Sequence, residues 1–220
     1  GGVLAALSDE GVEVIYLTVT DDLVGITVPD LPDEIAALQL KAEQKAAGDI
    51  IGVKAQYWLG FPDAGDYSYF TMRQGIIRHI RMLRPDFLMT CDPWLPYEAH
   101  RDHVQTGKAV AEAAYLHAMT RLKTDHGVDQ NYEPYEISGV AFYLTNAHNV
   151  TIDITPTKDR KHAALDCYQA QFTPQELQRL HKKLEREELI SARSLAFEFA
   201  ERFKILTPEQ LHIDVQAWRS

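Results

Sequence analysis

The sequence predicts an α/β protein with a Rossmann-like, mostly parallel sheet and helices on both faces of that sheet. Short runs rich in valine, isoleucine, tyrosine and phenylalanine alternate along the chain with longer segments of helical character. Such alternation is typical of parallel sheets, because a helical crossover connects each strand to the next. The chain has 220 residues and shows no repeat, low-complexity tract or interdomain linker. We therefore predict a single domain over residues 1–220, which buries about 70% of its extended surface.

The individual elements follow from local composition and from capping residues. The predicted strands cover residues 12–20, 53–59, 86–91, 139–144 and 150–154. The predicted helices cover residues 3–10, 33–48, 70–83, 102–123, 157–171 and 174–202. The last of these helices has the clearest start, because Thr173 can cap it, Pro174 occupies its first position and Glu176 follows three residues after the cap. Residues 207–210 repeat this pattern and predict a short terminal helix, while residues 124–134 predict a polar surface loop.

Composition excludes several classes of function. The formal net charge is −10, and no basic run extends beyond short mixed patches, which argues against a nucleic-acid-binding surface. No apolar run approaches the roughly 20 residues that a helix needs to span a bilayer. The chain has only two cysteines, Cys91 and Cys167. So few thiols predict a reducing compartment and hence a cytoplasmic protein, rather than a disulfide scaffold.

The loop that follows the third predicted strand holds the most informative residues. His100 and His103 lie three residues apart where the next helix begins, and Asp102 lies between them. In open α/β sheets, ligands bind outside the carboxyl ends of the strands, and imidazole is the commonest nitrogen ligand for zinc. The arrangement predicts a metal or catalytic site. The alternative is a polar loop in which Asp102 serves as the helix N-cap.

This stretch resembles a known enzyme family. Residues 83–114 resemble the second signature of the PIG-L/LmbE-like zinc-dependent N-acetylglucosamine deacetylases, in which a strand ends in a Pro/Asp-rich loop followed by Ala-His-Pro-Asp-His and a helix. This chain reads Ala99-His100-Arg101-Asp102-His103, so an arginine replaces the family's proline. Four other stretches also resemble the family. Residues 1–21 resemble its opening βα unit, and residues 43–53 resemble its Glu-containing helix. Residues 59–63 resemble its Leu-Gly-Leu-Pro-Asp, and residues 200–203 resemble its Ala-Glu-x-Phe.

One departure concerns the first signature of the family, Ala-His-Pro-Asp-Asp-Glu. In relatives it lies shortly before the Gly-Gly that matches Gly1-Gly2 here. It would supply a histidine and an aspartate to the metal, and a neighbouring aspartate as the general base. A helix followed by a parallel strand also needs a preceding strand to complete the right-handed crossover. We therefore expect that the chain lacks the first strand and the first metal-binding motif of the folded domain.

The resemblance implies a zinc-dependent hydrolase that removes the N-acetyl group from an N-acetylglucosamine-type sugar or conjugate. By position, His103 matches the zinc-binding histidine, and His100 matches the histidine that stabilises the oxyanion or protonates the departing amine. Asp102 matches an acidic residue that we expect to orient an imidazole. One alternative is an amidase that acts on a sugar–thiol conjugate or a glycopeptide. An alternative of another class is a sugar-binding member of the fold without catalysis.

Other residues are candidates for contacts with an amino-sugar substrate. Asp21 and Asp22 follow the first strand, where they could bind sugar hydroxyls or serve as solvated turn residues. Trp94 and Tyr97 flank the histidines and could stack on a sugar ring or pack the loop against the core. His148 follows the fourth strand and is a candidate cleft residue.

The remaining histidines divide into two groups. Some deacetylases similar to this chain form trimers or hexamers, and in certain of them a C-terminal histidine enters the neighbouring subunit's site. By that resemblance, His212 is predicted to approach a neighbour's cleft in a homo-oligomer, and its apolar neighbours suit a tail that docks. The other histidines on predicted helices and loops are expected to be solvated or satisfied side chains: His79, His117, His126, His162 and His181.

Overall fold

Strands and helices alternate along residues 1–219, the part of the chain that this computed structural model describes. The strands are β1 (Ile15–Thr20), β2 (Ala55–Phe61), β3 (Phe87–Cys91), β4 (Gly139–Tyr143), β5 (Val150–Asp153) and β6 (Ala200–Leu206). The helices are α1 (Gly2–Asp9), α2 (Asp33–Ile51), α3 (Tyr69–Leu83), α4 (Arg101–Leu116), α5 (His126–Asp129), α6 (Lys158–Leu165) and α7 (Pro174–Ala192). None of these helices is long and apolar enough to cross a bilayer.

The chain divides into two units. The first unit consists of Gly1–Asp63 and Thr151–Glu201, and the second of Ala64–Val150 with the described residues from Arg202 onward. The parallel pairs β1–β2 and β3–β4 and the antiparallel pair β4–β6 confirm the predicted α/β class with a mostly parallel sheet. The prediction of one deacetylase-like domain over the whole chain stays a prediction.

In the first unit, β1 and β2 form a parallel pair in which Ile15 lies opposite Ala55. An apolar cluster joins α1, α2 and α6, and its buried members are Ala5, Ala47, Ile51 and Ala164. Helix α7 begins as predicted, because the Thr173 hydroxyl accepts a hydrogen bond from the Glu176 amide while the Glu176 carboxylate accepts one from the Thr173 amide. This capping box satisfies two helix N–H groups that would otherwise lack partners.

In the second unit, β4 pairs in parallel with β3 and antiparallel with the part of β6 that follows Glu201. Helix α4 packs on this sheet through a cluster of buried residues, namely Ala111, Ala114, Val140, Phe142 and Leu206. Arg81 on α3 stabilises the other end of α4, since its guanidinium donates to the carbonyl oxygens of His117, Met119 and Leu122. The same guanidinium contacts the Asp129 carboxylate at 2.6 Å, and both side chains are buried.

Some predicted elements are wrong in extent or in type. Residues 200–202 were predicted to end the last helix, yet they begin β6, where Leu206 pairs with Val140 and Ile205 with Ala141. The helical propensity of Ala-Glu-Arg is overridden because pairing with β4 buries Phe203 and Leu206. Helix α4 ends at Leu116 and α6 at Leu165, both earlier than predicted.

The predictions for two short segments also need correction. Residues 207–210 form a turn rather than a helix, although Thr207 and Gln210 exchange the hydrogen bonds that a capping pattern predicts. Conversely, α5 lies within the segment that was predicted to be a loop. Its cap, Asp125, accepts hydrogen bonds from the amides of Gly127 and Val128.

Candidate functional site

The loop between β3 and α4 is anchored to the sheet before it reaches the histidines. Asp92 is buried, its amide donates to the Tyr143 carbonyl at 2.9 Å, and its carboxylate accepts from the Trp94 amide at 2.9 Å. The loop ends at His100, which is the N-cap of α4. The alternative that Asp102 caps the helix is therefore wrong, since Asp102 lies in the first turn. A negative charge in that turn is favourable, because the helix dipole is positive at its amino end.

His100 and His103 lie together at the start of α4. Their rings stack with centroids 4.3 Å apart and planes inclined by 14°. Glu98 connects them, because one carboxylate oxygen accepts from the His100 amide at 2.7 Å and the other lies 3.4 Å from His103 Nδ1. The hydrogen bond from the His100 amide, assisted by His103, lowers the pKa of the Glu98 carboxyl below its usual value.

The contact between Glu98 and His103 defines which nitrogen of the His103 imidazole can bind a ligand. With Nδ1 directed at a carboxylate, the nitrogen that His103 offers to a ligand is Nε2. Metal-binding histidines commonly donate their other ring N–H to a carboxylate in this way, which fixes the tautomer and raises the basicity of the ligand nitrogen. Glu98 was not identified from the sequence, although its position two residues before His100 was a usable signal.

Asp102 is buried, with 4% of its surface exposed. One of its carboxylate oxygens accepts from the Tyr67 hydroxyl at 2.6 Å and the other from the Ala64 amide at 2.8 Å. These bonds tie the first turn of α4 to residues 64–67. A ring nitrogen of His100 and a carboxylate oxygen of Asp102 lie within 4.8 Å of each other. Asp102 is thus next to His100, while the imidazole of His103 is held by Glu98.

Helix α4 approaches the end of β3 closely. A Cβ atom added to Gly107 would lie 2.5 Å from the Cys91 carbonyl oxygen and 2.9 Å from two ring carbons of Pro93. Only glycine allows this approach without a shift of the helix. The buried Cys91 thiol donates to the His103 carbonyl at 3.0 Å, and burial raises the pKa of that thiol. Cys91 is therefore a small buried residue that also supports the first turn of α4.

The remaining candidates in the second unit lie at several places. Trp94 is 56% exposed, and its ring meets Phe142 edge-on with centroids 5.5 Å apart. Tyr97 is fully exposed at a left-handed backbone position with φ of 68°. His148 is exposed on the connection after β4, at the same edge of the parallel β3–β4 pair as the Trp94 loop. His212 stacks on a tyrosine of α4 in its own chain, with ring centroids 4.4 Å apart.

Asp21 and Asp22 belong to the first unit. One Asp21 oxygen accepts from the amides of Leu23 at 3.3 Å and Asp63 at 3.0 Å. Asp22 has a left-handed backbone with φ of 58°, and its carboxylate accepts from the Thr20 hydroxyl at 3.1 Å. Both carboxylates thus stabilise the turn after β1, and their contact with sugar hydroxyls stays a prediction.

Comparison with known proteins identifies the family. The sequence profile described as PIG-L, GlcNAc-PI de-N-acetylase, matches residues 1–114, just over half of the chain. A curated relative, the diacetylchitobiose deacetylase of Thermococcus kodakarensis, is 32% identical over 172 residues, which cover 78% of this chain. The match spans 64% of the length of that relative.

Solved structures show the same fold. The N,N'-diacetylchitobiose deacetylase from Pyrococcus horikoshii, in complex with its inhibitor MPG, superposes with a TM-score of 0.89 at 29% identity, covering 97% of this chain and 80% of that one. A deacetylase of the teicoplanin biosynthesis pathway superposes with a TM-score of 0.65 at 17% identity, covering 94% and 92%; this likeness concerns the fold alone. The residue pattern from Leu83 to Ala114, the fold and the profile agree, and the chain belongs to the PIG-L family of de-N-acetylases.

Proposed function

We propose that this protein is a zinc-dependent hydrolase that removes the N-acetyl group from an N-acetylglucosamine-type sugar or conjugate. The observation that carries the proposal is the stacked pair of His100 and His103 beyond the end of β3, with Glu98 on His103 Nδ1. Family membership supports the same chemistry, and the relative from Thermococcus is named as a deacetylase of a diacetylated amino sugar.

The residues at the start of α4 suit a zinc ion. Zinc prefers nitrogen and carboxylate oxygen donors in proteins, and a ring nitrogen of His100 lies within 4.8 Å of an Asp102 carboxylate oxygen, with His103 stacked on His100. His103 would hold the ion through Nε2, with Glu98 orienting the ring. When bound, zinc polarises the amide carbonyl and activates a water molecule for attack.

The protein side chains supply the proton transfers. His100 is held at the N-cap of α4, where its imidazole can donate a hydrogen bond to the developing oxyanion or pass a proton to the departing amine. Asp102 orients His100, because its carboxylate lies beside that ring and is itself fixed by Tyr67 and Ala64. A fixed carboxylate keeps the imidazole in one orientation, so that less ordering is needed during the reaction.

An amino-sugar substrate would meet exposed aromatic surface next to the histidines. Trp94 presents its ring to solvent while its edge rests on the core. We assign Trp94 and Tyr97 to stacking on the sugar, and His148 to the rim of the site. An amidase for sugar–thiol conjugates or glycopeptides would use the same machinery with a different leaving group, so substrate comparison separates the two.

The test is release of acetate and free amine from a panel of substrates. The panel contains N-acetylglucosamine, its N-acetylated disaccharide, a sugar–thiol conjugate and a glycopeptide. We expect His103→Ala to lose zinc, because one of about three protein ligands disappears. We expect His100→Ala to keep zinc and to lose about 10²–10⁴-fold in turnover. His126→Gln, an exposed histidine of α5, is the matched control and should retain full activity.

The outcomes that contradict the proposal are distinct. Zinc in His103→Ala at wild-type occupancy would remove the ligand assignment. Loss of zinc in His100→Ala with retention in His103→Ala would show that the two roles are exchanged. Sugar binding without hydrolysis of any substrate in the presence of zinc would favour the non-catalytic alternative.

We also propose a cytoplasmic homo-oligomer, a trimer or a hexamer, in which His212 approaches a neighbour's site. The exposed apolar side chains of Ile213, Val215 and Trp218 support a docking tail, and both cysteines are free thiols. His212 would leave its stacking partner Tyr115 in such an assembly. The test is light scattering, together with activity, on the protein and on a variant truncated before Leu211. A truncated variant with the same oligomeric state and full activity would contradict the role of the tail.

A further inference from the structure

Two histidines that were expected to be solvated or satisfied face each other in the first unit. His162 lies on α6 and His181 on α7. Their Nδ1 atoms are 2.7 Å apart, and the rings lie nearly parallel with centroids 4.9 Å apart. A nitrogen–nitrogen contact of this length requires a proton between the atoms, because two bare ring nitrogens would repel each other.

The second nitrogen of each ring contacts a carboxylate. His162 Nε2 lies 3.1 Å from Glu188, and His181 Nε2 lies 2.6 Å from Asp166. An ionised carboxylate only accepts hydrogen bonds, so both Nε2 atoms donate. Glu188 is 2% exposed and is also paired with Lys161 at 2.6 Å, which keeps its carboxylate in place. Four ring nitrogens therefore hold three protons, and the two Nδ1 atoms share the third.

This arrangement is that of metal-binding histidines, in which one ring nitrogen donates to a carboxylate and the other binds the ion. We propose that His162 Nδ1 and His181 Nδ1 form a binding site for a divalent transition-metal ion of the zinc class. Binding forms two nitrogen–metal bonds and breaks one N–H bond, so one proton passes to solvent and no electron is transferred. With bonds of about 2.0–2.1 Å, the two nitrogens separate to about 3.3 Å in a tetrahedral site.

A cavity beside the pair provides room for the other ligands of the ion. Its volume is about 590 Å³, and its walls include both histidines and Asp166. Lys158 and Glu185 form an ion pair at 2.7 Å on the same wall and join the same two helices. Water molecules from this cavity can complete the coordination, as they do where protein ligands number fewer than four.

The experiment is a titration of tag-free, metal-stripped protein with Zn²⁺ by calorimetry, in two buffers of different ionisation enthalpy. We expect the histidine pair to bind one equivalent of Zn²⁺ with release of one proton, in addition to the ion proposed at His103. His162→Gln and His181→Gln should each lose this equivalent, His126→Gln should bind as the wild-type protein does, and His103→Ala should lose only the other ion. Asp166→Asn should weaken the site about 10–100-fold, because it removes the carboxylate that orients His181.

The outcomes separate this site from the proposed catalytic one. If His162→Gln and His181→Gln bind Zn²⁺ as the wild-type protein does, the pair holds only its shared proton and the proposal is overturned, while loss in His103→Ala would still support the deacetylase. If the loss is confined to His162→Gln and His181→Gln, the two-histidine site stands without the catalytic assignment. If circular dichroism shows that His162→Gln does not fold, the variants His181→Gln and Asp166→Asn test the proposal, because both of these residues are more exposed than His162.

Discussion

The replacement of Gly107 by alanine tests how closely α4 approaches β3. At a solvent-exposed position in the interior of a helix, replacing glycine by alanine stabilises a protein by about 0.5–1 kcal/mol, because alanine loses less backbone entropy on folding. Here the added Cβ would lie 2.5 Å from the Cys91 carbonyl oxygen and 2.9 Å from the Pro93 ring. Neither neighbour is the end of a flexible side chain, so the helix itself has to move.

The two effects oppose each other. Overpacking of a close contact costs about 1–3 kcal/mol, which exceeds the gain from helix propensity. We expect Gly107→Ala to lower the free energy of unfolding by about 1–2 kcal/mol. For a chain of this size, that corresponds to a fall of about 2–8 °C in Tm. The displaced first turn would also move His100 and His103, and a misplacement of about 1 Å can reduce turnover about 10²-fold.

Urea denaturation and acetate release measure the two consequences in the same preparation. Lys108→Ala is the matched control, since Lys108 is the next residue on α4 and is exposed; its stability should stay within about 0.5 kcal/mol of the wild-type value. A Gly107→Ala protein that is more stable than wild type, with unchanged activity, would refute the close contact between α4 and the end of β3.

Two further predictions concern charges in the second unit. Glu98→Gln should weaken zinc binding about 10–100-fold, because the charge that orients His103 is lost; equal zinc affinity in a chelator competition would contradict this role. Arg81→Met should destabilise the protein by about 3–5 kcal/mol, because it breaks the buried pair with Asp129; urea denaturation measures the loss, and a change below about 1 kcal/mol would contradict it. Burial raises the pKa of Asp129, but hydrogen bonds from Thr124 and the hydrogen bond and charge of Arg81 outweigh it and hold that pKa below its usual value. The stabilisation from Asp129 is therefore present above the usual carboxyl pKa of about 3.9 and is lost as the pH falls through the lower folded pKa, so the difference between wild type and Arg81→Met should shrink as the pH falls below about 4.

The features that were predicted correctly from the sequence depend on residues that are close together along the chain. The capping box at Thr173 forms as predicted, because it involves only neighbouring residues. Strands β1 to β5 lie where short apolar runs predicted them, with ends shifted by a few residues. The pattern around His100 and His103 identified the family, since its spacing depends on a strand end and a helix start that are both encoded locally.

Tertiary structure decided the features that the sequence did not predict, because the residues that contact each other there are distant along the chain or lie outside the recognised motif. Strand β6 exists because Leu206 pairs with Val140, far earlier in the sequence, and that pairing overrides helical propensity. His162 and His181 give no signal on their separate helices, and their Nδ1 atoms come within 2.7 Å of each other only when the chain folds. Chain folding likewise places Tyr67 on Asp102, a contact across 35 residues that no periodicity or spacing in the sequence could specify.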